Sequence, residues 1–187
     1  MYKRQHKDRL REALLLHNLG TLSYRNRDLL QAQQFVQESL ELFRSLDVLH
    51  GQEDALNTLA TIAFDLNQIE LCAQAAEQAV ALARETGNLP TMNLGLAMTG
   101  KAAARLGDVE RGTRLLREAI EQSVAANLSA NEPWNRYELG RVYHDAHEHV
   151  LAREYYLQAL SAARDRSMRD LETVSYTHLR AHETRHD

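Results

Sequence analysis

The most chemically suggestive run of the 187-residue chain is His182-Glu183-Thr184-Arg185-His186, which matches the pattern H-E-x-x-H. Two histidines one helical turn apart can ligate zinc while the glutamate activates a metal-bound water, and His178 adds a third imidazole four residues earlier. Downstream stands Asp187 alone, which supplies neither the further ligand nor the cleft that a zinc hydrolase needs. His144, His147 and His149, with Asp145 and Glu148 among them, form a second candidate group. They straddle a helix end and a turn, where the imidazoles diverge, so a solvated polar turn is expected rather than a metal site. Cys72 has no His or Asp at a spacing that would make a nucleophilic dyad, and it reads as a buried thiol. Asn127-Leu128-Ser129 would matter as a glycosylation acceptor only in a secreted protein. No glycine-rich phosphate loop, Walker lysine or hydrolase elbow occurs. The expectation is a chain with no catalytic residues, no cofactor and no metal.

The two ends have an origin of their own. As DNA, Met1-Tyr2-Lys3-Arg4-Gln5 fits GTG TAT AAG AGA CAG, and the reverse complement of that string encodes the Val-Ser-Tyr-Thr found at Val174-Ser175-Tyr176-Thr177. Residues 1–5 and 174–187 therefore resemble one inverted element, the adaptor of a transposase-made sequencing library translated at both edges, and are set aside from reasoning about the fold. His6 to Thr173 is expected to be an internal fragment of a longer protein. Without Lys3 and Arg4, and with Arg180 and Arg185 balancing Glu183 and Asp187, its net charge moves from −4 to −6.

Composition points the same way. With 44% apolar and 26% charged residues, two prolines and one cysteine, the chain suits a helical domain that folds without disulfides. No run approaches a membrane span, and the start lacks a secretory apolar core, which makes a cytoplasmic location the expectation. The acidic balance gives no clustered cations for phosphate, so neither nucleic acid nor membrane is expected to bind this segment, and a protein partner is favoured.

The elements that must carry these residues repeat every forty positions. Gly20, Ala60, Gly100 and Gly140 are each followed twelve residues later by Ala32, Cys72, Gly112 and Ala152, and seven residues further on by Ser39, Ala79, Ala119 and Ala159. A large apolar residue follows each of the last set: Leu40, Val80, Ile120 and Leu160. Small side chains let facing helices approach, and larger neighbours fill the space beside them. Each unit is thus a helical hairpin. Its first helix carries apolar residues such as Leu16, Leu19 and Leu22, and ends at a turn such as Asn26-Arg27-Asp28 or Leu106-Gly107-Asp108. Its second helix runs to about Phe43, Ala83, Ser123 or Ala163. Gly107 supplies a residue that tolerates positive φ and Asp108 a helix cap. Pro90 and Pro133 fall between units or in a first helical turn. Tyr155 and Tyr156 are expected to pack between helices, Tyr156 in the column of Val36, Ala76 and Leu116.

These residues resemble the tetratricopeptide repeat (TPR). Its pattern W-x2-L-G-x2-Y…A-x3-F is echoed by Leu16-x2-Leu19-Gly20, by Leu56-x2-Leu59-Ala60, and by Trp134 with Leu139-Gly140-x2-Tyr143 followed by Ala152-x3-Tyr156. The period is forty rather than thirty-four, Arg136 and three leucines stand at the tryptophan position, and Thr99 replaces a leucine. Long repeats of this kind are similar to those of bacterial LuxR-type and STAND signalling regulators. The resemblance implies an all-α right-handed superhelix, an α-solenoid, of four repeats at about 7–46, 47–86, 87–126 and 127–167, with the start of a fifth. It implies a scaffold or sensor whose concave groove holds a protein or peptide. The family's groove positions fall on His17, Thr21, Tyr24, Arg25, Asn57, Thr61, Phe64, Asp65, Lys101, Arg105, Tyr137, Arg141 and His144, together with Ala97, Ala104 and Asp145. Of these, Tyr137 and Arg141 have side chains of the type that dominates interfaces. The alternatives are a TPR region in a multidomain cyclase, kinase or ATPase, and a superhelix that itself holds a small effector.

Overall fold

A computed structural model of the chain describes residues 2–128 and 130–183, with side chains from 5 to 179 apart from 129. Among these residues its regular elements are all helices: α1 (Tyr2–Arg25), α2 (Leu29–Ser45), α3 (Leu49–Asp65), α4 (Ile69–Thr86), α5 (Leu89–Arg105), α6 (Val109–Ala125), α7 (Asn131–Asp145), α8 (His149–Asp165) and α9 (Arg169–Glu183). The second helices run two to three residues past the ends expected from the apolar pattern. Pro90 and Pro133 both sit in first helical turns, where no intrahelical N–H is lost.

The turns follow a period half that of the repeat. Arg27, Asp47, Asn67, Gly87, Gly107, Asn127, His147 and Ser167 all have positive φ, one every twenty residues. After each, the next N–H reaches back five residues to a carbonyl at 2.8–3.0 Å, as in Asp28 to Ser23 and Glu148 to Tyr143. This left-handed helix stop satisfies carbonyls that the helix leaves open. Connections within and between hairpins are thus alike, and two 17-residue helices with two three-residue turns make up forty. Asp28 caps α2 by accepting from the Gln31 N–H at 3.3 Å, and Asp108 caps α6 by accepting from the Arg111 N–H at 3.0 Å.

The helices group into two compact units, Met1–Met98 and Thr99–Asp187, divided inside α5. In the first, α1 packs on α2, α2 on α3 and α3 on α4; in the second, α6 packs on α7, α7 on α8 and α8 on α9. The small-residue columns set the spacing. A Cβ on Gly20 would stand 2.5 Å from a Val36 methyl, and one on Gly112 would stand 2.8 Å from the Gly100 carbonyl. A Cβ on Gly140 would meet the Tyr156 ring at 2.8 Å. Ala32, Cys72, Ala152, Ser39, Ala79, Ala119 and Ala159 are all sealed from solvent, as is Tyr156. Tyr155 stacks on Tyr143.

Candidate functional site

In unit 1 the first helices α1 and α3 lie side by side and are joined by polar side chains from the expected groove positions. His17 Nε2 lies 3.2 Å from Thr58 Oγ1. Burial lowers the imidazole pKa against the opposing pull of Asp54, which keeps the ring neutral at pH 7. The Tyr24 hydroxyl donates to Asp65 Oδ2 at 2.9 Å, and burial together with that carboxylate pushes the phenol up to about 12. Arg27 approaches the same oxygen at 3.7 Å. Thr21 and Thr61 turn their hydroxyls back to the carbonyls of His17 and Asn57. Phe64 is half-buried and Arg25 is exposed. Asn57 is buried, and its Nδ2 donates to the Thr91 carbonyl at 3.1 Å, tying α3 to the first turn of α5.

In unit 2 the same positions carry ions and rings. Lys101 Nζ lies 3.1 Å from Glu138 Oε1 and Arg141 Nη1 lies 3.4 Å from Glu138 Oε2, so two cations on neighbouring first helices share one carboxylate. Tyr137 is buried, with Trp134 edge-on at 6.1 Å and Tyr156 at 5.7 Å; desolvation raises its phenol pKa. His144 is half-buried, 5.9 Å from the His149 ring. Arg105 is exposed in the last turn of α5.

The structure thus sets His17 against Thr58, joins Tyr24 to Asp65, and brings Lys101 and Arg141 together on Glu138, while Asn57 and Tyr137 spend most of their surface on packing. Sequence reasoning passed over Glu138, the carboxylate those two cations share. It also missed a column three residues before His17, Asn57, Ala97 and Tyr137. There Leu14, Asp54, Leu94 and Trp134 are all exposed, one helical turn from the groove positions. That spacing was the available signal.

Glu53 was missed as well. Its carboxylate is fully buried and accepts from Thr86 Oγ1 at 2.5 Å and Asn88 Nδ2 at 2.6 Å, with His50 Nδ1 at 3.3 Å. Burial pushes its pKa up, but the three hydrogen bonds together outweigh this and hold the carboxyl below its ordinary value. It clamps α3 to the connection between α4 and α5, with no periodic signal to announce it.

Among the described residues no group of three His, Cys, Asp or Glu side chains is placed to hold a metal ion. The side chains of His182 and Glu183, and residues 184–187, lie outside the described residues, and the H-E-x-x-H run with them.

No protein-family model matches the chain. Subunit 4 of the outer dynein arm-docking complex of Xenopus laevis is 27% identical over 126 residues, which cover 65% of this chain and 23% of that protein. The Rap conjugation gene regulator of plasmid pLS20, solved in complex with the Phr* peptide, superposes with a TM-score of 0.79 at 14% identity, over 94% of this chain and 48% of its own. A signal transduction ATPase with numerous domains (STAND) and a tetratricopeptide repeat sensor, from Pyrococcus horikoshii, superposes at 0.72 and 16% identity, over 87% of this chain and 26% of its own. The chain therefore spans between about a quarter and a half of these proteins. Its fold is that of the TPR-like helical-hairpin repeat proteins, the α-solenoid class. No helix among the described residues is long and apolar enough to cross a membrane.

Proposed function

We propose that this chain is a recognition segment that holds a protein or peptide along the exposed edge of its first helices and contributes no chemistry of its own. The observation that carries this is the filling of successive first-helix positions with half-exposed aromatics, hydroxyls and ions. These side chains are already pinned in place, so little rotamer freedom is lost when a partner binds. Leu14, Leu94 and Trp134 supply apolar contact beside them. The Rap regulator's complex with a peptide supports the class of ligand by analogy of fold.

The segment works within a larger signalling or transcription-regulatory protein of bacterial type in the cytoplasm, with neither nucleic acid nor membrane as its partner. Residues 1–5 and 174–187 are translated adaptor, and sequencing the gene from unfragmented DNA across Gln5–His6 and Thr173–Val174 tests that origin. The STAND neighbour favours a second reading, in which the same segment serves a polypeptide whose other domain is an ATPase.

The test of recognition is selection of peptides from a random library on the immobilised chain. Affinity is then read from the fluorescence of Trp134, the one tryptophan. Arg141→Ala and Tyr24→Phe both change the first-helix edge without emptying the core. One or both should weaken a selected peptide about tenfold, the size expected at a well-packed contact. Unchanged affinity in both would remove the first helices as the binding edge.

A further inference from the structure

The outward side of α1 carries Leu15, Leu19 and Leu22, which are 63%, 44% and 54% exposed. Spaced four and three residues apart, they form one continuous stripe. A single exposed leucine needs no explanation, whereas a contiguous row of three on one helix does. Forty residues on, the same positions are Ala55, Leu59 and Ile62, all buried in α3, which packs on both α2 and α4. In α7 they are Asn135, Leu139 and Val142, all buried in a helix that packs on both α6 and α8. In α5 the first of these positions is Gly95, where a Cβ would stand 2.7 Å from a Val80 methyl of α4, so the repeat register turns this stripe toward the second helix of the preceding hairpin. Asn135 has the heavy-atom shape of leucine, so the α6 type of packing accepts a side chain as large as Leu15 at that position.

A second observation comes from the twenty-residue turn period. Counting back from Arg27 places a left-handed residue at Lys7 and a helix cap at Asp8, whose match eighty residues on, Asn88, accepts from the Thr91 N–H at 3.3 Å where α5 begins. His6-Lys7-Asp8 thus has the form of the turn that closes a second helix and opens a first one, although α1 here runs straight through it to Tyr2. A hairpin that ends a repeat array carries a polar outer face, and α1 does not.

We propose that the Leu15, Leu19 and Leu22 stripe is a docking surface for the second helix of a further hairpin of this same forty-residue repeat, connected to α1 through residues 6–8. The occupant is an amphipathic helix with the α6 pattern: small residues seven apart, a large apolar residue after the second, and a polar outer side.

The proposal is tested by placing a copy of residues 87–126 directly ahead of Lys7, since position 127 is the register equivalent of position 7. Thermal unfolding and binding of an apolar dye are measured for the full chain and for this extended chain, each with and without Leu19→Asp. The extension should raise Tm by about 5 °C or more and lower dye binding. Leu19→Asp should abolish both effects in the extended chain while leaving the original chain's Tm nearly unchanged. An extended chain that gains helical signal without gaining Tm would overturn the proposal. So would a dimer of the original chain that Leu19→Asp converts to monomer, because the stripe would then belong to a second copy.

Discussion

In unit 1 the first helices α1 and α3 are tied by His17 on Thr58 and by the Tyr24 hydroxyl on Asp65, with the buried Glu53 holding α3 to the connection after α4, whereas in unit 2 cations from α5 and α7 meet on Glu138 and rings pack edge-on and tilted around Tyr137. The backbone register is the same in both, because the small-residue columns and the left-handed turns set helix spacing without involving the first-helix edge. That separation lets the exposed edge vary in chemistry while the framework stays constant. It also makes the two units respond differently to salt, pH and substitution.

The comparison breaks most severely at the columns. Gly112→Val forces side-chain atoms against the Gly100 carbonyl and the Ala104 amide, which cannot yield as a side-chain tip would. A loss of about 3 kcal/mol, confined to unit 2, is expected in urea unfolding monitored by hydrogen exchange. Next comes Glu53→Ala, which leaves Thr86 and Asn88 without their acceptor and should cost unit 1 about 2 kcal/mol. Glu53 has a lower pKa folded than unfolded, so its contribution is present above about pH 4.5 and disappears as pH falls below that value. Acid titration of the wild-type chain should therefore loosen unit 1 in that range, and the variant should lack this step.

Smaller effects sharpen the contrast. Glu138→Gln should cost unit 2 about 0.5–1 kcal/mol at low salt and less at 1 M, since its cations are partly solvated. Tyr24→Phe should cost unit 1 a similar amount with far less dependence on salt. His147→Gly should stabilise by about 0.5 kcal/mol, because φ of +62° strains a residue with a Cβ more than it raises glycine's entropic cost. For His17 the folded pKa lies below 6.5, so protonation favours the unfolded chain, and unit 1 should weaken slightly as pH drops below 6.5. His17→Gln would remove that slope, seen by repeating the melts between pH 5 and 8.

Much of this was legible in the sequence, and what was not has definite physical reasons. The hairpins, the three small-residue columns and the burial of Cys72 and Tyr156 follow from spacing alone, since only small side chains admit that helix approach. The turns were half legible. Gly107 declares positive φ, but Arg27 and Ser167 adopt it because the helix-stop geometry demands it, not because their side chains prefer it. The groove positions were placed by family register, which says where a residue stands and nothing of how far neighbours cover it. Asn57 and Tyr137 consequently proved buried, while Glu138 beside them was overlooked and Trp134 was read only as part of the repeat pattern. Glu53 stood among ordinary polar residues, and only the three-dimensional meeting with Thr86 and Asn88 marks it as structural.

The central claim, that the first helices form the recognition edge, is tested most directly by hydrogen exchange of the whole chain with and without a library-selected peptide. The account predicts slowed exchange in α1 and α3, or in the last turn of α5 and in α7, with α2, α4, α6 and α8 unchanged. Protection confined to the second helices would contradict it.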